Sequence, residues 1–237
     1  MSKKTRKYLK YTILTILSLL SITILTFLYS RGRNHALFMS PIHKIETEEK
    51  IVALTFDDGP SDVRTPALLE ILSKYKIKAT FFMLGINIEK YPNIAQSVFD
   101  HGHLIANHSY DHPRLLLKSR SFTKNQITKT DQLIQSLGQT SVKYFRPPYS
   151  SKYIILPLVL RSLGKKLVTG TYDPPSEYLI PYNAKNIANE VIENTQPGSI
   201  IYLHDGRNTD QKAFVESVEL IINGLQEKWY TFVTLDY

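Results

Sequence analysis

The stretch IVALTFDDGP, Ile51–Pro60, decides how this chain is read. Its first six residues form an apolar, partly β-branched run of the kind that fills a strand covered on both faces, and two adjacent carboxylates and a Gly-Pro turn signal then close it. Two acids directly after a buried strand are hard for a fold to tolerate, because like charges repel unless a positive partner compensates them. Outward from this segment the same unit recurs. Short apolar, β-branched or aromatic runs occur at 51–56, 78–84, 103–107, 142–145, 166–172, 199–203 and 230–235. Helix-like stretches lie at 63–75, 92–100, 122–137, 153–163, 184–194 and 211–225, several with apolar residues at three and four spacing, as in Leu68, Leu69 and Leu72. This alternation predicts parallel strands covered by helices.

Periodicity alone leaves two architectures, a closed barrel and an open doubly wound sheet. The polar residues help to separate them. Asp57 and Asp58 end the first run, Asn107-His108-Ser109-Tyr110-Asp111-His112 the third, Arg146-Pro147-Pro148-Tyr149 the fourth, Tyr172-Asp173 the fifth and Tyr202-Leu203-His204-Asp205-Gly206 the sixth. Every cluster sits at a strand's C-terminal end, which in an α/β barrel is the face where loops from distant parts of the chain surround one substrate. His101 and His103 flank Gly102 at the other end of the third strand and read as structural. Trp229 opens the last strand and reads as core or rim packing.

The chain has 237 residues and a formal charge of +8. Seven of its basic residues, with no acid, lie in residues 1–33, which leaves about +1 for everything after them. Clustered Lys and Arg are what a nucleic-acid surface needs, so nucleic acid is not an expected partner. With no cysteine, disulfides, thiolate catalysis and Cys-ligated zinc are excluded. Between Tyr11 and Tyr29 the run TILTILSLLSITILTFL carries no charge and is long enough to cross a hydrocarbon core as a helix. Five basic residues precede it and Arg31 and Arg33 follow, so the bias of positive charge puts residues 1–10 in the cytoplasm, 11–30 in the membrane and the rest outside. A cleaved signal would share the basic start but end on small residues, whereas this run ends Phe27-Leu28-Tyr29-Ser30, and an uncleaved single-pass anchor is the favoured reading over a secreted form. Thr12, Thr15, Ser18 and Ser21 are expected to bond back to their own helix. Residues 31–49, with Pro41, His35, His43 and three glutamates, read as a short tether to a domain at 50–237.

The strand-end clusters also contain a chemistry. His108 and His112 lie four apart, and with one of the paired aspartates they offer two imidazoles and a carboxylate, a set that leaves coordination positions open on a divalent metal. The other aspartate is then free to act as a general base towards water.

Taken in order, TFDDGP, HSYDH, RPPY, a motif around Asp173 and YLHDG resemble the polysaccharide deacetylases with a NodB-homology domain, carbohydrate esterase family 4, over about residues 50–237. The resemblance implies a distorted (β/α) barrel with fewer than eight strands, in keeping with the seven counted here. It implies Asp57 as general base, and Asp58, His108 and His112 as ligands of a divalent metal. It further implies Arg146 orienting Asp57, the Tyr149 N–H stabilising the oxyanion, His204 as general acid, and Asp173 tuning His204. Two imidazoles and a carboxylate suit zinc, and also cobalt, nickel, iron or manganese.

The chain departs from the family pattern in three places. Ser150 stands where glycine is usual after the tyrosine, which is tolerable if its φ is negative. The fourth motif reads Asp173-Pro174-Pro175-Ser176-Glu177-Tyr178, one residue longer than usual and with Tyr178 in place of Trp, so Glu177 competes with Asp173 for the tuning role. Tyr202 replaces an apolar residue that family precedent places in the acyl pocket, which predicts a pocket tightened around acetyl. The expected function is metal-dependent removal of N-acetyl groups from N-acetylglucosamine units of an envelope glycan, with peptidoglycan favoured. The alternatives are a deacylase of a lipid-linked or lipopolysaccharide sugar, and a non-catalytic glycan-binding member of the family.

Overall fold

The computed structural model describes residues 2–206 and 210–237. It begins with one helix, α1 (Lys3–Arg31), whose hydropathy and length suffice for a membrane crossing. The domain then runs β1 (Ile51–Asp57), α2 (Arg64–Lys74), β2 (Thr80–Met83), α3 (Gly85–Lys90), α4 (Pro92–Asp100), β3 (Leu104–Asn107), α5 (Arg120–Ser136), β4 (Tyr144–Phe145), α6 (Ile155–Ser162), β5 (Lys166–Leu167), α7 (Ala184–Asn194), β6 (Ser199–His204), α8 (Gln211–Glu227) and β7 (Thr231–Phe232). All strand pairs in the described residues are parallel, in the order β5-β4-β3-β2-β1-β6. β7 pairs with the first two residues of β1 and β2 with its last three, so both share the edge that β6 leaves free.

The sheet curls until its ends nearly meet. Beyond β5, Tyr172 forms an isolated parallel bridge with Ile201 of β6, and the Tyr202 N–H donates to the Tyr172 carbonyl at 2.8 Å. The architecture is therefore a distorted barrel, as expected, with a seam in place of a full ladder. The predicted strand at 166–172 is broken at that seam: Gly170 has φ +73°, and a Cβ there would lie 2.9 Å from the Tyr202 ring, so backbone and aromatic ring meet only because the side chain is absent. The short α3 was not anticipated, since six residues are too few for a helical period to stand out.

β1 is buried along its whole length, as its unalternating apolar sequence requires. Phe56, Phe81 and Phe214 pack together between the sheet and α8, and Leu68 and Leu72 of α2 join the same cluster. His103 is buried at the far end of β3, where its Nδ1 accepts the Ala79 N–H and burial draws its pKa down to about 4; its place is structural, as expected. Trp229 is not core: it is 83% exposed, with φ +66°, at the turn after α8.

Residues 31–49 do not hang free between helix and domain. The Ile42 N–H donates to Leu167, Ile45 to Gly198, and Thr171 Oγ1 to the His43 carbonyl, so the segment runs along the seam and covers it. α1 also touches the domain. Tyr153 packs edge-on against Phe27 at 5.7 Å between ring centres and shares a 2.8 Å hydrogen bond with Thr26 Oγ1. Thr12 and Thr15 bond back to the carbonyls of Tyr8 and Tyr11, as expected of hydroxyls in an apolar helix.

Candidate active site

The register of the sheet brings the motifs together. Asp57, the last residue of β1, lies opposite His204, the last of β6. The Asp57 side chain is buried, and its Oδ1 receives the Arg146 guanidinium at 2.6 Å. Arg146 is itself buried, clamped between the rings of Tyr202 at 3.7 Å and Phe82 at 3.9 Å, and it also donates to Thr55 Oγ1 at 2.7 Å. A guanidinium so confined fixes the direction of the carboxylate it bonds.

Asp58 turns the other way, with φ +71°. Its Oδ1 faces His112 Nε2 at 3.2 Å and His108 Nε2 at 3.4 Å, and it has no hydrogen-bond partner among the described residues. His108 Nδ1 donates to the Arg146 carbonyl at 2.8 Å, which fixes the ring so that Nε2 is the nitrogen turned to Asp58. Burial, with His108 beside it, lowers the His112 pKa and favours its neutral ring. Burial alone would raise the Asp58 carboxyl, but the imidazoles of His108, His204 and His112 hold it well below the usual carboxylate range. One carboxylate oxygen and two imidazole nitrogens, facing one another within ligand reach, make a donor set that fits a divalent cation. Asp173, Glu177 and His204 also lie close enough together to ligate, but the polar contacts between His204 and Glu177 are hydrogen bonds already made.

The partner of His204 differs from expectation. Glu177, not Asp173, accepts from the His204 ring, at 2.8 Å, and its second oxygen accepts the His204 backbone N–H, also at 2.8 Å. Asp173 instead accepts from the Tyr178 hydroxyl at 2.8 Å and lies 4.0 Å from Arg33. Burial opposes a charge on His204, yet Glu177, with Asp57 and Asp58 behind it, pushes its pKa up to about 9. These groups share one cavity of about 380 Å³, with Asp57, Asp58, His112, Tyr149, Tyr202 and His204 in its wall.

Five non-glycine residues at this face have positive φ: Asp58, Ser109, His112, Tyr149 at +56° and Ser150. Held strain of this kind is typical of functional sites. Supports not anticipated from the sequence hold the turns in place. Asn107 Oδ1 accepts the Ser109 N–H and its amide donates to Asp131, while Asn87 donates to the Asp58 carbonyl. Gly206 is required by contact, because any Cβ there would fall on the Asp58 carbonyl. Arg114, also unanticipated, stacks 4.1 Å over the Tyr149 ring at the cavity rim.

Ser150 takes φ +51°, so the negative value that would have made serine harmless there is not adopted. Left-handed backbone costs an L-residue about 1 kcal/mol, and Ser150→Gly is expected to stabilise the domain by about that much. A rise of several degrees in Tm checks this, and an unchanged or lower Tm refutes it.

A family model described as polysaccharide deacetylase matches residues 44–168. A peptidoglycan-N-acetylglucosamine deacetylase of Bacillus cereus is 36% identical over 199 residues, which is 84% of this chain and 70% of that protein. Among solved structures, a peptidoglycan N-acetylglucosamine deacetylase superposes with a TM-score of 0.77 at 34% identity, covering 81% of this chain and 89% of that one. A carbohydrate esterase family 4 pseudoenzyme from Bacillus anthracis superposes with a TM-score of 0.75 at 25% identity, covering 83% and 68%. Similarity thus extends both to deacetylases and to a pseudoenzyme, which leaves the decision to the residues of the site.

Proposed function

The chain belongs to the polysaccharide deacetylase family, and from this premise we propose that it hydrolyses N-acetyl groups on N-acetylglucosamine-type residues of an envelope polysaccharide, with peptidoglycan as the substrate. The observation that carries the reading is the meeting, in one cavity, of a carboxylate held by arginine, a three-atom ligand set and a histidine paired with a buried glutamate. A non-catalytic binding module would have no use for all three together.

Asp58, His108 and His112 would hold the divalent metal, with zinc as the resident ion. Bound there, it would supply a Lewis acid for the attacking water and the amide carbonyl. Asp57 takes a proton from the water as its oxygen attacks the acetamide carbon, and Arg146 keeps the Asp57 carboxylate aimed. The Tyr149 N–H donates to the oxygen that becomes negative. His204, charged through Glu177, gives its proton to the nitrogen as the C–N bond breaks, because an unprotonated amide nitrogen is too poor a leaving group. Acetate and the free amine leave. Tyr202 and Tyr178 line the cavity where the acyl group and sugar would lie.

α1 acts as an uncleaved anchor that holds the catalytic domain on the outer membrane surface, next to the wall it modifies. Acetate release from peptidoglycan and from N-acetylglucosamine oligomers tests the function. The metal-loaded protein should release acetate, a chelator should abolish release, and zinc should restore it. Failure on every N-acetylated glycan would sink the proposal. Tyr202 buried against the cavity wall predicts that propionyl groups are removed about tenfold more slowly than acetyl groups, since one methylene in a closed pocket is worth that much. Equal rates would remove Tyr202 from the acyl pocket.

A further inference from the structure

Beside the catalytic cavity lies a second one of about 260 Å³, bounded by Phe27 and Arg31 at the end of α1 and by Lys152, and sharing Arg114, Tyr149 and Ser150 with its neighbour. Three cationic side chains line it and no carboxylate does. Lys152 is 3% exposed, and its Nζ has no hydrogen-bond partner among the described residues. Burial, with Arg33 nearby, draws its pKa down to about 8. An ammonium withdrawn from water with nothing to bond is costly, and such an arrangement makes sense where a ligand completes it. The Arg114 guanidinium carbon lies 4.1 Å from the centre of the Tyr149 ring, and its N–H groups are donors available to an anion at the shared wall. The C-terminal end of α1 opposes an anion with about half a negative charge, less than the cations present.

Position adds a second argument. The apolar run of α1 ends at Tyr29, and Tyr153 is bonded to Thr26 one turn earlier, so the cavity sits where hydrocarbon gives way to Arg31 and Arg33. That is the depth at which lipid phosphates lie.

We propose that this cavity is a phosphoryl-binding subsite, which takes the phosphate or diphosphate joining an N-acetylated amino sugar to a membrane lipid and so places the sugar in the catalytic cavity. The inference rests on the deacetylase reading and makes glycan still carried on lipid the preferred form of its substrate. A neutral glycan offers Lys152, Arg31 and Arg114 acceptor oxygens but no counter-charge, whereas a diphosphate offers both.

The full-length, metal-loaded chain in phosphatidylcholine nanodiscs provides the test, with Lys152→Met and Arg31→Gln as variants; the second lies on the exposed end of α1 and keeps the test valid if the first fails to fold. Acetate release is compared between a phosphate-free N-acetylglucosamine oligomer and a polyprenyl-diphosphate-linked N-acetylglucosamine. The wild type should favour the second by about tenfold or more in kcat/KM, the worth of one good charged hydrogen bond. Both variants should lose that preference through KM and keep their rate on the oligomer within about twofold, and inorganic pyrophosphate should compete in the wild type alone. Activity on the oligomer with no such preference, or a preference that survives both variants, overturns the subsite and leaves the deacetylase reading standing. Pyrophosphate competition that vanishes in phosphatidylglycerol nanodiscs, without any substrate preference, assigns the cavity to bulk lipid headgroups and overturns the substrate role. Acetate release from neither compound overturns the deacetylase reading itself.

Discussion

Asp57→Asn is expected to lower kcat about 10³-fold while leaving fold and metal affinity close to wild type. The asparagine keeps the shape and one acceptor oxygen for Arg146 but cannot take a proton from water. Metal affinity should survive because Asp57 stands back from the ligand set: its Oδ2 is 3.9 Å from His108 Nε2, whereas Asp58 Oδ1 is 3.4 Å from the same nitrogen and 3.2 Å from that of His112. Some stability must be lost, since the substitution removes the counter-charge from a buried guanidinium. Removing one partner of a buried pair costs about 3–5 kcal/mol when nothing replaces it, and the retained oxygen should keep the loss below that. Metal titration, thermal unfolding and acetate release on the same preparation separate these effects. Turnover near wild type would remove Asp57 as the base, and a collapse in metal affinity would make it a ligand.

What the sequence made legible follows from where barrels keep their chemistry. Polar residues at strand ends stand out against buried apolar strands, so Asp57, Asp58, His108, His112, Arg146 and His204 could be found without coordinates, and the register Asp57 opposite His204 brought them together. The choice between Asp173 and Glu177 was not legible, because a local turn decides it. Pro174 and Pro175 lead into a short 3-10 turn at Pro175–Tyr178 that carries Glu177 inward, to 2% exposure, and leaves Asp173 beside Arg33 and Tyr178. Motif spacing counts residues along the chain and is blind to that reversal. Trp229 departs from the expected core or rim packing for a similar reason, since its type suggests burial while the left-handed turn after α8 directs it outward. The polar composition of residues 31–49 reads as a tether, yet what fastens the segment to the domain is largely backbone hydrogen bonding along the seam, which side-chain composition does not report. Lys152 gave no signal at all: a lone lysine after Ser151 is ordinary until the fold buries it.

Glu177→Gln should produce the second large effect, a fall in kcat of about 10²-fold above neutral pH together with an alkaline limb displaced to lower pH. Two hydrogen bonds tie this carboxylate to His204, one to the ring and one to the backbone. Against the cost of burial, its charge does the most to keep the imidazole protonated. Glutamine keeps the shape and loses the charge, so the His204 pKa falls. Since the step to the departing nitrogen needs the protonated ring, activity is lost as pH rises through that pKa, and a lower pKa moves the loss to lower pH. A cation at Asp58, His108 and His112 would depress the limb in both proteins, so the quantity to read is the difference between their profiles. Stability follows the same sign. A histidine whose folded pKa lies above its unfolded value of 6.5 contributes stability that is complete below 6.5 and is lost as pH rises through the folded value, here about 9. Glu177→Gln should therefore be most destabilising at mildly acidic to neutral pH and approach wild type above pH 9. Asp173→Asn, which removes only the contacts to Tyr178 and Arg33, should leave both the limb and this pH dependence in place. If Asp173→Asn moved the limb and Glu177→Gln did not, the pairing of His204 with Glu177 would have no part in the proton transfer.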